Sequence, residues 1–185
     1  MMNVQPFFDP FPTIDLGDII LREITKEDAQ AYLDYMSNDQ MAGFLTNENR
    51  PKTFDAALEE VSYWGGLFSS KRSIYWAIAL KESNRMVGTA GFNMISFANS
   101  RAEISYDLDP NFWGKGIMLR SIKAILKFSD YTLGIIRVQA TVITTNERSI
   151  KVLDRCGFQK EGCLRKYELV EGELKDYYMY ARVLI

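Results

Sequence analysis

Apolar and polar residues along this chain alternate with two periods, and the changes from one period to the other mark out its elements. Ile19 to Ile24 is extended in character, and Thr25 before Lys26-Glu27-Asp28 has the form of a helix start. Ala29, Tyr32, Leu33 and Met36 then fall at helical spacing, as do Ala57, Leu58, Val61, Trp64 and Phe68 beyond a second start near Thr53. Two amphipathic helices therefore follow the first strand. Between them Asn47-Glu48-Asn49-Arg50-Pro51 is polar and broken by proline, which predicts a surface loop placed to border a substrate cleft.

Extended segments come next, Tyr75 to Leu80 and Met86 to Met94, joined by the polar Lys81 to Arg85. In Arg101 to Leu108 the alternation is complete: Ala102, Ile104, Tyr106 and Leu108 take one face, and Arg101, Glu103, Ser105 and Asp107 the other. These three segments predict an antiparallel meander. Asp109-Pro110-Asn111 breaks the last strand, and a glycine-containing loop leads into a helix carrying Met118, Ile122, Ile125, Leu126 and Leu133, with Gly134 able to end it. Arg137 to Val142 alternates again. Asn146 is placed to cap a helix from Glu147 to about Cys156 that Gly157 terminates, and two final strands, Gln159 to Leu169 and Lys175 to Ile185, meet at Glu171-Gly172-Glu173. The order β-α-α-β-β-β-α-β-α-β-β describes an α/β sheet with helices on its faces, without internal repeat or second-domain linker.

Composition removes several classes of function. At 185 residues, with 47% hydrophobic and 25% charged, the chain is sized for one globular domain. A net charge of -2 argues against binding nucleic acid by neutralising many phosphates. Histidine is absent, so a Ser-His-Asp triad, a Cys-His pair and a histidine-bound zinc are excluded, and any general base is a carboxylate, lysine, tyrosine, cysteine or water chain. Cys156 and Cys163 have no metal-ligand spacing around them and read as free thiols. The Phe- and Pro-rich opening lacks a secretory pattern, and no uncharged apolar run approaches the ~20 residues that span a bilayer. A soluble cytoplasmic protein is expected, with no metal and no membrane partner.

The chemistry begins at Phe112-Trp113-Gly114-Lys115-Gly116-Ile117-Met118, between a strand and a helix N-terminus. Backbone N–H groups there, with the helix dipole, favour an anionic pyrophosphate, and two glycines permit close approach. A plain tight turn is the alternative. The loop is not a Walker motif, since Gly116 stands where Ser or Thr is required, and a dinucleotide fold is disfavoured by the antiparallel order and the missing third glycine.

Element order and loop together resemble the GNAT acetyltransferases, whose acetyl-CoA loop reads Gln/Arg-x-x-Gly-x-Gly/Ala; here it is Asn111-Phe112-Trp113-Gly114-Lys115-Gly116, with Asn111 departing from the first position. The blocks Asn146-Glu147-Arg148-Ser149-Ile150-Lys151-Val152-Leu153, Gly157-Phe158, Glu161 to Arg165 and Gly172 to Tyr180 are similar to the RimJ/RimL-type ribosomal-protein N-terminal acetyltransferases. The resemblance runs from Leu16 to Ile185, which sets residues 1–15 apart as an N-terminal extension and 16–185 as the domain. It implies a GNAT fold, a mixed but mostly antiparallel sheet with helices on both faces, and direct acetyl transfer from acetyl-CoA to an amine. The implied acceptor is a protein N-terminus, with a small amine such as a polyamine or aminoglycoside as the alternative and a non-catalytic acyl-CoA sensor as the rival from another class. A homodimer is left open.

By the same resemblance, Tyr106 and Leu108 would offer backbone to the pantetheine arm, and Trp113, Gly114, Lys115, Gly116, Ile117 and Met118 would hold the pyrophosphate. Asn146 would bond the arm, with a helix cap as its other role. Glu168 matches the family's general base, and Ser149 the serine near the CoA sulfur. The tyrosine that many members use as acid is replaced by Leu153, which leaves Tyr106 or Tyr167 as further acid candidates, and a backbone N–H near Leu108 would meet the oxyanion. The acidic group Glu168, Glu171, Glu173 and Asp176 would suit a small cationic amine or lie solvated on a hairpin.

Overall fold

Alternation along the strands makes both sides of the sheet apolar, and two pairs of helices close them. The computed structural model describes residues 9–45 and 50–184. The strands are β1 (Ile14–Asp15), β2 (Ile19–Glu23), β3 (Tyr75–Leu80), β4 (Met86–Ser96), β5 (Arg101–Leu108), β6 (Arg137–Ile143), β7 (Gln159–Val170) and β8 (Glu173–Val183). Helix α1 (Ala29–Met36) and α2 (Phe54–Ser69) come before β3, α3 (Ile117–Phe128) links β5 to β6, and α4 (Glu147–Arg155) links β6 to β7. The strands form one sheet in the order β1-β2-β3-β4-β5-β6-β8-β7, antiparallel throughout except for β5 beside β6.

Local chemistry sets the ends of these elements. Thr25 and Asp28 form a capping box over a 3-10 turn that opens into α1. Thr53 Oγ1 accepts from Ala56 N at 3.2 Å to start α2. Beyond α3 the chain widens into a π-helical turn, Ser129–Leu133, which Gly134 ends at φ +64. Leu133, read as the last apolar position of the same helix, sits in this turn and is buried.

One layer packs Tyr32, Tyr35, Val61, Trp64 and Leu67 from α1 and α2 against Tyr75, Ala77 and Met86. The other packs Ile117, Ile122, Ile125 and Leu153 from α3 and α4 against Trp76, Ile78, Ile104 and Val138. Trp64 stacks on Tyr75 with ring centroids 5.4 Å apart, and both rings are buried. No strand was expected before Ile19, yet β1 pairs with β2, Phe11 packs on Phe68 at 4.7 Å, and Trp76 Nε1 donates to Pro12 O at 2.6 Å. The described part of residues 1–15 is thus packed onto the fold. Among the described residues no helix is long and apolar enough to cross a membrane.

The site is positioned by one irregularity. β5 and β6 pair over three positions, Arg101 with Arg137, Ala102 with Val138 and Glu103 with Gln139, and then part. β6 stays on β8 for its full length, and β5 stays on β4 to Leu108. The divergence opens the sheet itself.

Candidate active site

The opening is a cleft of about 510 Å³ that reaches both faces of the sheet, lined by residues 104–108 of β5 and 140–143 of β6. Asp109 N donates to Val87 O at 2.8 Å, so the alternation of the strand turns the N–H groups of Leu108 and Tyr106 away from β4, toward the side that β6 has left. An extended ligand entering there meets an unpaired strand edge. The Leu108 carbonyl is taken, because Trp113 Nε1 donates to it at 2.8 Å. Leu108 therefore offers its N–H but not its carbonyl, and the indole of Trp113 pins the following loop to the end of β5.

That loop gives the cleft its anion end. Gly114 and Gly116 hold φ of +76 and +74, and a Cβ at either would meet nothing within 4 Å, so the space above them is open. Helix α3 starts directly after Gly116 with no side-chain cap and no acid in its first turn, whereas α2 and α4 are capped by Thr53 and Asn146. Its first N–H groups thus lack the side-chain acceptor that α2 and α4 have. Positive charge gathers nearby: Lys115 Nζ lies 4.7 Å from the Phe112 ring, and the Arg148 guanidinium lies 4.4 Å from the Trp113 ring. The side chains of Ile117 and Met118 are buried in the core.

Across the loop, Asn146 Oδ1 accepts from Ser149 N at 3.1 Å and caps α4. Ser149 Oγ lies 2.7 Å from Tyr106 Oη, which joins two of the acid candidates into one hydroxyl pair. Burial pushes the Tyr106 phenol above its ordinary range, and the bond to Ser149 opposes that shift. The third candidate, Tyr167, is elsewhere. Residues 165–167 bulge from β7 opposite Asp176, with Lys166 at φ +51 and its N–H on Asp176 Oδ1 at 2.8 Å. Tyr167 is brought to 5.5 Å from the Tyr177 ring, beside Glu168, at the far wall of the cleft. Burial, together with the facing Glu168 carboxylate, pushes the Tyr177 phenol up.

The structure gathers Tyr106, Leu108, Trp113, Gly114, Gly116, Ile117, Met118, Asn146, Ser149 and Glu168 around this one cleft, with Lys115 in the loop between the glycines. The acidic hairpin group is not brought together there. Glu168 lines the cleft, Asp176 is bound to the bulge, and Glu173 pairs with Lys175 at the exposed turn. Of the loop expected to border a substrate site, residues 47–49 lie outside the described residues, and Arg50 and Pro51 line a surface hollow separate from the cleft.

Sequence reasoning passed over the polar wall on the α1/α2 side. Asp107 Oδ1 accepts from Tyr35 Oη at 2.6 Å and Thr89 N at 3.1 Å, and Oδ2 accepts from Thr89 Oγ1 at 2.6 Å. Beside it Tyr75, Asn93 and Ser105 form a hydroxyl–amide cluster. Burial raises the Asp107 carboxyl to about 6 despite three hydrogen bonds that act to lower it. The signal available in the sequence was the faultless alternation of β5, which put Ser105 and Asp107 on one face without saying what covers it.

The acetyltransferase (GNAT) domain family matches residues 18–159. The chain belongs to the GNAT acetyltransferases. It is 34% identical over 173 residues to the uncharacterized N-acetyltransferase YoaA of Bacillus subtilis (strain 168), covering 94% of this chain and 97% of that one. It is 27% identical over 110 residues to the ribosomal protein uS5 alanine N-acetyltransferase of Escherichia coli (strain K12), covering 59% and 57%. The solved RimL ribosomal L7/L12 alpha-N-protein acetyltransferase in complex with coenzyme A superposes with a TM-score of 0.85 at 25% identity, over 94% of this chain and 98% of that one. As a GNAT enzyme the chain uses acetyl-CoA as acetyl donor, and the mixed eight-stranded sheet with helices on both faces is the GNAT fold.

Proposed function

We propose that this enzyme transfers acetyl from acetyl-CoA to the α-amino group at the N-terminus of a protein, by direct attack within a ternary complex. The observation that carries the reading is the cleft through the parted sheet, with an uncapped helix start at one end and Glu168 at the other. The RimJ/RimL-type relatives support the class of acceptor.

In this reading Trp113, Gly114, Lys115, Gly116, Ile117 and Met118 hold the pyrophosphate through backbone N–H groups, and the pantetheine arm runs along Tyr106 and Leu108 as an added strand. Asn146 keeps its cap and faces the arm. The amine must attack with a free electron pair, and an α-amine at ~7.7–8.0 loses its proton near neutral pH. Glu168 accepts a proton as nitrogen bonds to the acetyl carbon, through water. The Leu108 N–H meets the oxyanion, and the Ser149–Tyr106 pair donates a hydrogen bond to the departing sulfur.

The experiment is CoA thiol release by the purified protein with short peptides bearing free Ser, Ala, Met or Thr N-termini, alongside spermidine and an aminoglycoside. Turnover of a peptide, but not of its N-formylated form, is expected. Turnover of spermidine or the aminoglycoside alone would move the acceptor to the small amines, and binding of acetyl-CoA without any turnover would favour a sensor.

A further inference from the structure

Acylating an ammonium requires that nitrogen lose two protons, one before attack and one after, and Glu168 answers for one of them. A second carboxylate lines the same cleft from another wall. Asp107 sits near the end of β5, adjacent to Tyr106 but on the opposite face, toward α1. Its oxygens accept three hydrogen bonds out of about four lone-pair positions, which leaves room on Oδ2. Both donor residues are buried, Tyr35 at 3% exposure and Thr89 at 1%, so the carboxylate is held in one orientation.

We infer that Asp107 docks the acceptor as an ammonium ion and removes its first proton; this rests on the acetyl-transfer reading above. An N–H bond of the docked ammonium breaks, the proton passes to Oδ2, and the electron pair stays on nitrogen. That pair forms the C–N bond to the acetyl carbonyl carbon, and Glu168 accepts the second proton. The C–S bond then breaks with its pair on sulfur, which is protonated from the Ser149–Tyr106 hydroxyls. One of the two protons restores that hydroxyl pair and the other goes to solvent.

The surroundings favour a cation. Among the described residues the ionisable groups around Asp107 are Tyr32 and Tyr35 on α1, Glu60 on α2, Tyr75 on β3, Glu103 on β5 and Asp109 just beyond it, and all are acids. Glu60 is half-buried, and burial first, then the Asp107 charge, pushes its carboxyl up. Arg50, Lys52 and Glu60 also line a separate surface hollow. An incoming ammonium relieves repulsion between the two carboxylates. A carboxyl near 6 also lies about two units below an α-amine, where an ordinary Asp lies about four below, so the proton moves more easily.

The alternative is that Asp107 only staples β5 to β4 and α1. Asp107→Asn keeps acceptors for Tyr35 and the Thr89 N–H, and it can donate to the Thr89 hydroxyl. The probes are an alanyl tetrapeptide, charged at pH 7, and its aminooxyacetyl analogue, whose terminal nitrogen is neutral there. D107N is expected to lower kcat/KM for the alanyl peptide by about 100-fold, with acetyl-CoA affinity unchanged and the aminooxy peptide close to the wild-type rate. In wild type the acidic limb of kcat/KM near pH 6 should appear with the alanyl peptide and vanish with the aminooxy one, a measurement that needs no variant. Tyr35→Phe, which removes one hydrogen bond that holds the carboxyl down, should move that limb to higher pH. Equal losses on both peptides, or an identical limb with both, would assign Asp107 to structure and overturn the proposal. Wild-type protein inert toward both while binding acetyl-CoA would instead remove the transfer reading beneath it.

Discussion

At the scale of single residues, the proposed mechanism divides its chemistry between two hydroxyls and two carboxylates. Ser149 and Tyr106 are joined by a hydrogen bond, so in the proposed mechanism Ser149→Ala leaves Tyr106 Oη able to turn toward the sulfur, and Tyr106→Phe leaves Ser149. Each single variant is expected to lose less in log kcat than the double variant, with coupling measured by a double-mutant cycle on steady-state rates; strict additivity would separate the two roles. Glu168→Gln is expected to lower kcat by about 10²-fold with acetyl-CoA affinity unchanged, measured by thiol release and calorimetry, and an undiminished kcat would remove it as base. Glu168 was proposed as base through a family block. Asp107 was not, because a carboxylate on the polar face of an alternating strand looks solvated until the helix covering that face is known.

At the scale of elements, the start of α3 is where sequence and structure agree most closely. Gly116→Val puts a β-branched residue at φ +74, a region that costs of the order of 1–3 kcal/mol for such a side chain. Since a Cβ there meets nothing within 4 Å, the damage should fall on ligand approach and backbone more than on packing. Weaker acetyl-CoA binding by calorimetry, with a Tm lower by a few degrees, is the expected result, and unaltered affinity would undo the loop assignment. Strands β3 to β5, α2 and α4 were legible from period and caps, because each depends on neighbours in sequence. β1 was not, since two residues carry no period. The parting of β5 from β6 was hidden as well, because parallel pairing joins positions 36 residues apart and depends on which strand each keeps as its other neighbour.

At the scale of the whole molecule, the chain ahead of β2 is tied to the layer around Trp76. Removing residues 1–12 strips Phe11 from Phe68 and leaves the Trp76 indole N–H without the Pro12 carbonyl, which should cost at least ~1–3 kcal/mol for the unmade hydrogen bond alone. Urea unfolding reads this as a lower midpoint, and an unchanged midpoint would make residues 1–12 a dispensable extension. The short ladder between β5 and β6 has a mechanical corollary. Five strands on one side and three on the other are joined within the sheet by three register pairs, so the two halves can breathe about that seam. A pantetheine arm lying along the free edge of β5 would work as a splint, and amide exchange at Tyr106 and Leu108 would slow on binding far more than in β2 or β3. The substrate would then complete the sheet that holds it, and each turnover would return the seam to its looser state.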